Sequence, residues 1–266
     1  MPTYPGSVRR LWVRWTLLVL FVAVLGTVFV NLGEWQLHRL AARQQRNTDT
    51  VANERKPVVG YEQVFNHPIA ERDQWQRVQA RGVFDAEHQF VLRYRSNGDA
   101  SGYEVVTPLR TASGTVLVDR GFVSLDRNEP IPAATDAPAP PAGEVTVTGH
   151  VRRDETGRRS AMTPVNGQMR LLDSASVAAT LPYPVADGYI GLLTVDPPQT
   201  GGFQTVALPE ISDGPHFWYA VQWFMFAALA LAGVFVFIRG DLRMRRQERE
   251  GRVVPATADP KVPATS

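Results

Sequence analysis

The chain has 266 residues, no cysteine, 28 Lys/Arg against 26 Asp/Glu and a formal charge of +2. Without cysteine it has no disulfide, thiolate metal site, thioether haem attachment or cysteine nucleophile. The basic surplus sits at the two ends of the chain, not in a patch interleaved with aromatics, which argues against nucleic acid as a partner and points to anionic lipid headgroups.

Residues 1–11 read as a short tail carrying Arg9 and Arg10, followed by a spanning helix at 12–33. From Trp15 to Gly33 there are 19 positions without a charge, close to the roughly 20 apolar residues that cross about 30 Å of hydrocarbon. A cleaved signal peptide is the competing reading. The run is longer than the roughly 7–15 residues of a signal core and lacks a small-x-small cleavage site, so a retained anchor is expected.

Residues 34–216 read as one extracytoplasmic β-rich domain. Val78, Ala80, Gly82 and Phe84 alternate with polar neighbours, and so do Phe90, Leu92 and Tyr94, which places each set on one face of a strand. Further strands are expected at Gly102–Leu109, Thr115–Val123, Val145–Val151 and Tyr189–Val195, separated by turn signals such as Ser-Asn-Gly-Asp at 96–99. No helices alternate with these strands, so an antiparallel β-barrel or sandwich is expected. A short helix is expected at Ser174–Leu181, capped by Asp173 or Ser174 and stopped by Pro182. Residues 130–143, with five Pro and five Ala, read as an extended surface loop.

The second spanning helix is expected at 217–238, where 22 positions carry no charge, and residues 239–266 read as a basic, disordered tail. Segment 33–216 holds 18 basic and 22 acidic residues, the first 14 residues hold three Arg and no acid, and residues 239–266 hold seven Lys/Arg against four acids. Basic residues near span ends stay on the cytoplasmic side. The expected topology is therefore multi-pass, with both termini cytoplasmic and the central domain outside. The fold class is a membrane protein of α+β type.

Local chemistry concentrates at the inner ends of the two spans. After the first come Gly33, Trp35, Gln36, His38, Arg39 and Arg43, gathering an indole, an amide and guanidinium groups at headgroup level. Taken alone they read first as an aromatic belt with a solvated basic helix, since Trp and Arg are common at membrane boundaries. Before the second stands His216, followed by Tyr219 and Trp223 at helical spacing and by Gln222, a polar group inside a span that needs a partner helix or ligand. Gln222 is expected to bond toward Asn31.

Three motifs in order, Leu32-Gly-Glu-Trp-Gln-Leu-His-Arg-Leu, Gly102-Tyr-Glu-Val-Val-Thr-Pro-Leu continuing to Val116-Leu-Val-Asp-Arg-Gly-Phe-Val, and His216-Phe-Trp-Tyr-Ala-Val-Gln-Trp-Phe, make the chain resemble the surfeit locus protein family of cytochrome oxidase assembly factors. The resemblance covers about residues 15–240 in architecture; Phe122 stands where the family usually has Trp. It implies help in delivering haem a to the catalytic subunit of an aa3-type cytochrome c oxidase, with that subunit and haem a synthase as partners. It also implies His216 as the candidate haem a ligand, with His38 as runner-up if the two spans are neighbours. A neutral imidazole suits haem iron, and Phe217, Trp218, Tyr219 and Trp223 would cover an apolar macrocycle. The plainer alternative makes His216 a polar residue capping the span. Arg120 with Gly121 either meets a haem propionate or pairs with Asp119, Asp126 or a carbonyl to close a turn. His67, His88 and His150 are expected at surface or strand positions.

No phosphate loop, Gly-x-Ser-x-Gly elbow or His-Glu-x-x-His is present, and the carboxylates show no acid/base spacing, so the chain is not expected to be an enzyme. The competing class is a scaffold that docks on a respiratory complex without touching haem. The 26 Arg against 2 Lys, the abundance of Ala and Pro, and an N-terminal tail too short for an amphipathic transit peptide favour a bacterial plasma membrane.

Overall fold

A computed structural model describes residues 6–126, 129–206 and 208–251. Two compact units emerge, one of the chain ends (up to Arg43 and from Asp213) and one of residues Gln44–Ser212.

The first unit is a helix pair. Helix α1 runs Gly6–Glu54, 49 residues, and continues well past the expected end of the span at 33. No Gly or Pro interrupts residues 34–56, and Pro57 then blocks further helix. Helix α4 spans His216–Gly251, so the first part of the basic tail is helical where disorder was expected; residues 252–266 lie outside the described residues. The two helices run antiparallel. Trp15 Nε1 donates to Asp241 Oδ2 at 2.9 Å, the Phe29 ring lies 5.7 Å from Trp223 and 5.8 Å from Phe226, and Gly33 faces Phe224.

The seam of this pair is built from small residues. Gly33, Ala220 and Ala227 are buried, while Leu17, Phe21, Leu229 and Phe235 are exposed. A Cβ on Gly33 would come within 2.7 Å of the Phe224 ring, so glycine is what lets the backbones approach there. Both helices are long and apolar enough to cross a membrane, and their apolar stretches are almost wholly exposed, unlike a core helix of a soluble protein.

The second unit is a single eight-stranded, barrel-like sheet. Its strands are β1 Val59–Gly60, β2 Arg77–Phe84, β3 Phe90–Asn97, β4 Ala100–Thr111, β5 Gly114–Ser124, β6 Glu144–Arg152, β7 Gln168–Met169 and β8 Tyr189–Asp196. The order is β1-β2-β6-β8-β5-β4-β3-β7, and β4 also pairs with β2, which closes a ring of β2, β6, β8, β5 and β4. All six strands expected from alternation are present. In β2, Val78, Ala80, Gly82 and Phe84 are buried while Gln79, Arg81 and Val83 are exposed. Val78, Phe84, Leu109, Val118, Val147 and Ile190 fill the ring.

Three features depart from the sequence reading. The sheet is mixed, because β5 pairs parallel with β8, as β1 does with β2 and β3 with β7. The connection from β5 to β8 runs through β6, β7, short helical turns and irregular chain, so no long helical period marks it. Tyr94 faces solvent at 65% exposure; its φ of +61° and the register shift between Arg93 and Arg95 form a bulge that ends the alternation. The Pro/Ala segment is a packed cover, not a loose loop: Ala134 and Ala137 are buried against Val91, Tyr103 and Val105. Small helices α2, Arg159–Met162, and α3, Ser174–Ala178, precede β7 and β8 respectively. Asp173 caps α3 by accepting from the Ser176 N–H at 2.9 Å, as expected.

Candidate functional site

Within the helix unit, Phe29, Gly33 and Gln36 fall four and three residues apart and so share one face of α1. That face meets the start of α4. The Gln36 amide oxygen accepts from His216 Nδ1 at 2.9 Å. An amide oxygen can only accept, so this bond puts a proton on Nδ1; in the neutral ring the lone pair then lies on Nε2, the form an imidazole takes as a metal ligand. His216 is half-buried. The turn into α4 passes Gly214 at φ +64°, and a Cβ there would lie 3.3 Å from Arg43 Nη1 and 3.6 Å from the His216 ring. Arg43, seven residues beyond Gln36 on α1, thus borders the same corner.

The remaining candidates of this region separate. His38 is exposed and lies two residues, about 200° of helix, from Gln36; it points away from the face that meets His216, so the structure does not bring the two histidines together. Trp35 and Arg39 form their own pair, with the guanidinium 5.3 Å from the indole centroid. Trp223 packs on Phe29 and Phe226. Tyr219 is exposed, as are Phe217 and Trp218. Gln222 is exposed and the expected bond to Asn31 is not made, because the Asn31 amide donates to the Thr27 carbonyl of its own helix at 2.7 Å.

In the β-domain, Arg120 is only 1% exposed. Its Nε donates to Gln199 Oε1 at 3.1 Å, Nη1 to the Pro138 carbonyl at 2.8 Å and Nη2 to the Ala139 carbonyl at 2.9 Å. The guanidinium lies 4.7 Å from the Phe203 ring centroid, and burial pulls its pKa down to about 10. Arg120 therefore fastens the Pro/Ala cover, with no fork left for a propionate. Gly121 beside it sits at φ +119°, where a Cβ would meet the Gln204 carbonyl at 2.7 Å. That close approach lets Phe122 and Gln204 exchange both backbone hydrogen bonds.

A cluster of charges in the β-domain has no counterpart in the sequence reading. Arg95 lies 2.9 Å from Glu104 and 2.7 Å from Glu155. Asp119, buried in β5, accepts from the Gly121 N–H at 3.0 Å. Arg152 stacks 4.1 Å over Trp75 and lies 5.8 Å from the Tyr189 ring centroid. Burial and the neighbouring Asp119 carboxylate push the Glu104 carboxyl up to about 8, and burial raises Asp119 as well. Two arginines thus face three carboxylates, and a proton on Glu104 balances the set. The bulge at Tyr94 and the register shift between Glu104 and Val106 assemble this cluster; the only sequence signal is a charge in the middle of the apolar runs at Glu104 and Asp119. His150, buried, bonds Glu54 at 2.6 Å, while His67 and His88 bond Asp73 and Asp85.

The class this defines is a pair of long apolar helices at the chain ends flanking a sheet-rich, barrel-like domain, with one oriented imidazole at the start of the second helix. The SURF1 family model matches residues 23–228, well over half of the chain, and the chain belongs to that family, which is linked to cytochrome oxidase assembly. Uncharacterized SURF1-like proteins of Mycobacterium tuberculosis and Mycobacterium bovis are each 29% identical over 261 residues, covering 96% of this chain and 93% of theirs.

Proposed function

We propose that this protein is an assembly factor for an aa3-type cytochrome c oxidase that helps haem a reach the catalytic subunit, taking it over from haem a synthase. In this reading both helices cross a bacterial plasma membrane, the basic ends stay cytoplasmic and the β-domain lies outside. The observation that carries it is the His216–Gln36 hydrogen bond. Among the described residues there is no group of three His, Asp or Glu side chains able to hold a bare metal ion. A single oriented nitrogen suits a metal that arrives already held by a macrocycle, to which it adds one axial bond. Exposed Phe217, Trp218 and Tyr219 supply apolar surface at the same helix turn. Nothing in this arrangement calls for covalent chemistry.

The test is a reduced-minus-oxidised haem a spectrum of membranes from cells lacking the protein, followed by haem analysis of the purified chain. The expected result is a lost or shifted haem a band, restored by the wild type. Purified His216→Ala should carry less than about a tenth of the wild-type haem, Gln36→Leu an intermediate amount, and His38→Ala the full amount. Full haem content in His216→Ala would remove the ligand role. A lost oxidase with no haem on the wild-type protein would leave a scaffold that docks without haem.

A further inference from the structure

Tyr94 combines two unusual properties: a large side chain at 65% exposure and a left-handed backbone, φ +61°. Such a conformation is held by the surrounding structure and marks sites where a side chain is deliberately displayed. The ring does not stand alone. Arg93 lies 5.5 Å from its centroid and Arg170 5.0 Å, so guanidinium groups from β3 and from the residue after β7 flank one phenol ring. The segment that carries Arg158 and Arg159 folds against Arg170, because the Arg170 N–H bonds the Ala161 carbonyl at 2.9 Å and, closing α2, the Thr163 N–H bonds the Arg159 carbonyl at 3.0 Å.

Arg158, Arg159 and Arg170 are exposed. Among the described residues none of these four arginines has an ion pair, although six arginine–carboxylate pairs are formed elsewhere in the β-domain. Of the acids nearby, Glu155 is engaged with Arg95 and the Leu172 N–H, Asp154 with Ser174 and Asp173 with the α3 cap, while Asp99, Asp126 and Glu129 line a hollow beside Tyr94 that neither Arg93 nor Arg170 lines. Val165, at 64% exposure, adds an apolar knob on the same segment.

We propose that this Arg93–Tyr94–Arg170 patch, extended by Arg158 and Arg159, is a docking surface for an acidic segment of a partner protein. Arginine forks match carboxylates in pairs, and stacking on tyrosine holds them ready at little entropic cost. Tyr and Arg beside an exposed apolar residue are the composition of protein interface centres. An anionic membrane plane is the weaker occupant, because segment 33–216 carries 22 acidic against 18 basic residues and would be repelled over most of its area. An extended peptide need only address the bulge and the neighbouring turn. The inference stands apart from the haem reading.

The experiment uses the full chain in phosphatidylcholine nanodiscs and a fluorescent 12-residue peptide of alternating Glu and Leu as probe, read by anisotropy at low and high salt. Wild type should bind with an affinity that falls with salt. Arg93→Gln with Arg170→Gln should weaken binding about tenfold or more. The equal charge change at Arg72→Gln with Arg110→Gln should cost less than about twofold. Tyr94→Gly, which suits the backbone and keeps every charge, should weaken it about threefold by releasing the arginines. Equal losses in both double variants, or no loss in either, would overturn the proposal. Binding to phosphatidylglycerol vesicles but not to the peptide would replace it with a lipid contact.

Discussion

The helix pair and the β-domain hide opposite kinds of group. Along the helices Gly33, Ala220 and Ala227 are buried and large apolar side chains such as Phe235 are exposed. In the β-domain the apolar side chains are inside, and so are Arg120, Asp119 and His150. The contrast fits two solvents. Where the surroundings are as apolar as leucine, contact depends on close backbone approach; where water lies outside, a charge can be sealed in provided its polar atoms find partners.

Breaking the β side of this contrast gives the largest expected effect. Arg120→Met keeps much of the volume but orphans the Pro138 and Ala139 carbonyls and the Gln199 amide oxygen. A cost of about 3–5 kcal/mol is expected, about 10 °C of melting temperature for a domain of this size. Proteolysis between 130 and 143 should rise in parallel, since Gln89 and Gln168 would then hold the cover without Arg120. A variant that melts like the wild type would show that the cover does not depend on Arg120.

The helix side is tested at Gly33. Leucine there would strike the Phe224 ring, an overpacking cost of about 1–3 kcal/mol. The absence of native cysteine allows a reporter pair, Phe29→Cys with Phe226→Cys, at rings 5.8 Å apart. Disulfide yield should fall several-fold in Gly33→Leu and less in Gly33→Ala. Unchanged yield would mean that the seam tolerates a side chain and that small residues are not what joins the helices.

The same contrast explains what could be read from the sequence. Val78 to Phe84 keeps strict alternation because β2 is regular from end to end, and the strand pattern follows from it. Gln36 and His216 were both legible as polar residues at span ends, but their bond depends on which face of α1 meets α4, and His38 shows how two residues along a helix reverse that answer. The Arg95 cluster was not legible. Two irregularities in register, at Tyr94 and after Glu104, break the two-residue period on which strand reading relies. The Pro/Ala segment misled for a different reason: its composition forbids regular structure, yet its carbonyls are acceptors that Arg120 and Gln89 use.

The smallest expected effect sharpens the contrast by titrating the buried charge. In the fold Glu104 keeps its proton up to about pH 8, whereas an unfolded glutamate loses it near pH 4.3, about the model-peptide value. Between these values the folded state binds more protons, so Glu104 makes stability fall as pH rises through that window and level off above it. Glu104→Gln keeps the shape and removes the ionisation. The variant should match the wild type within about 1 °C at pH 5 and melt about 3–6 °C higher at pH 9. Asp119, also raised, should leave a residual slope at the acid end, with its own proton lost at lower pH. Parallel melting profiles across the range would show that Arg95 and Arg152 neutralise all three carboxylates together and that no proton is held in the cluster.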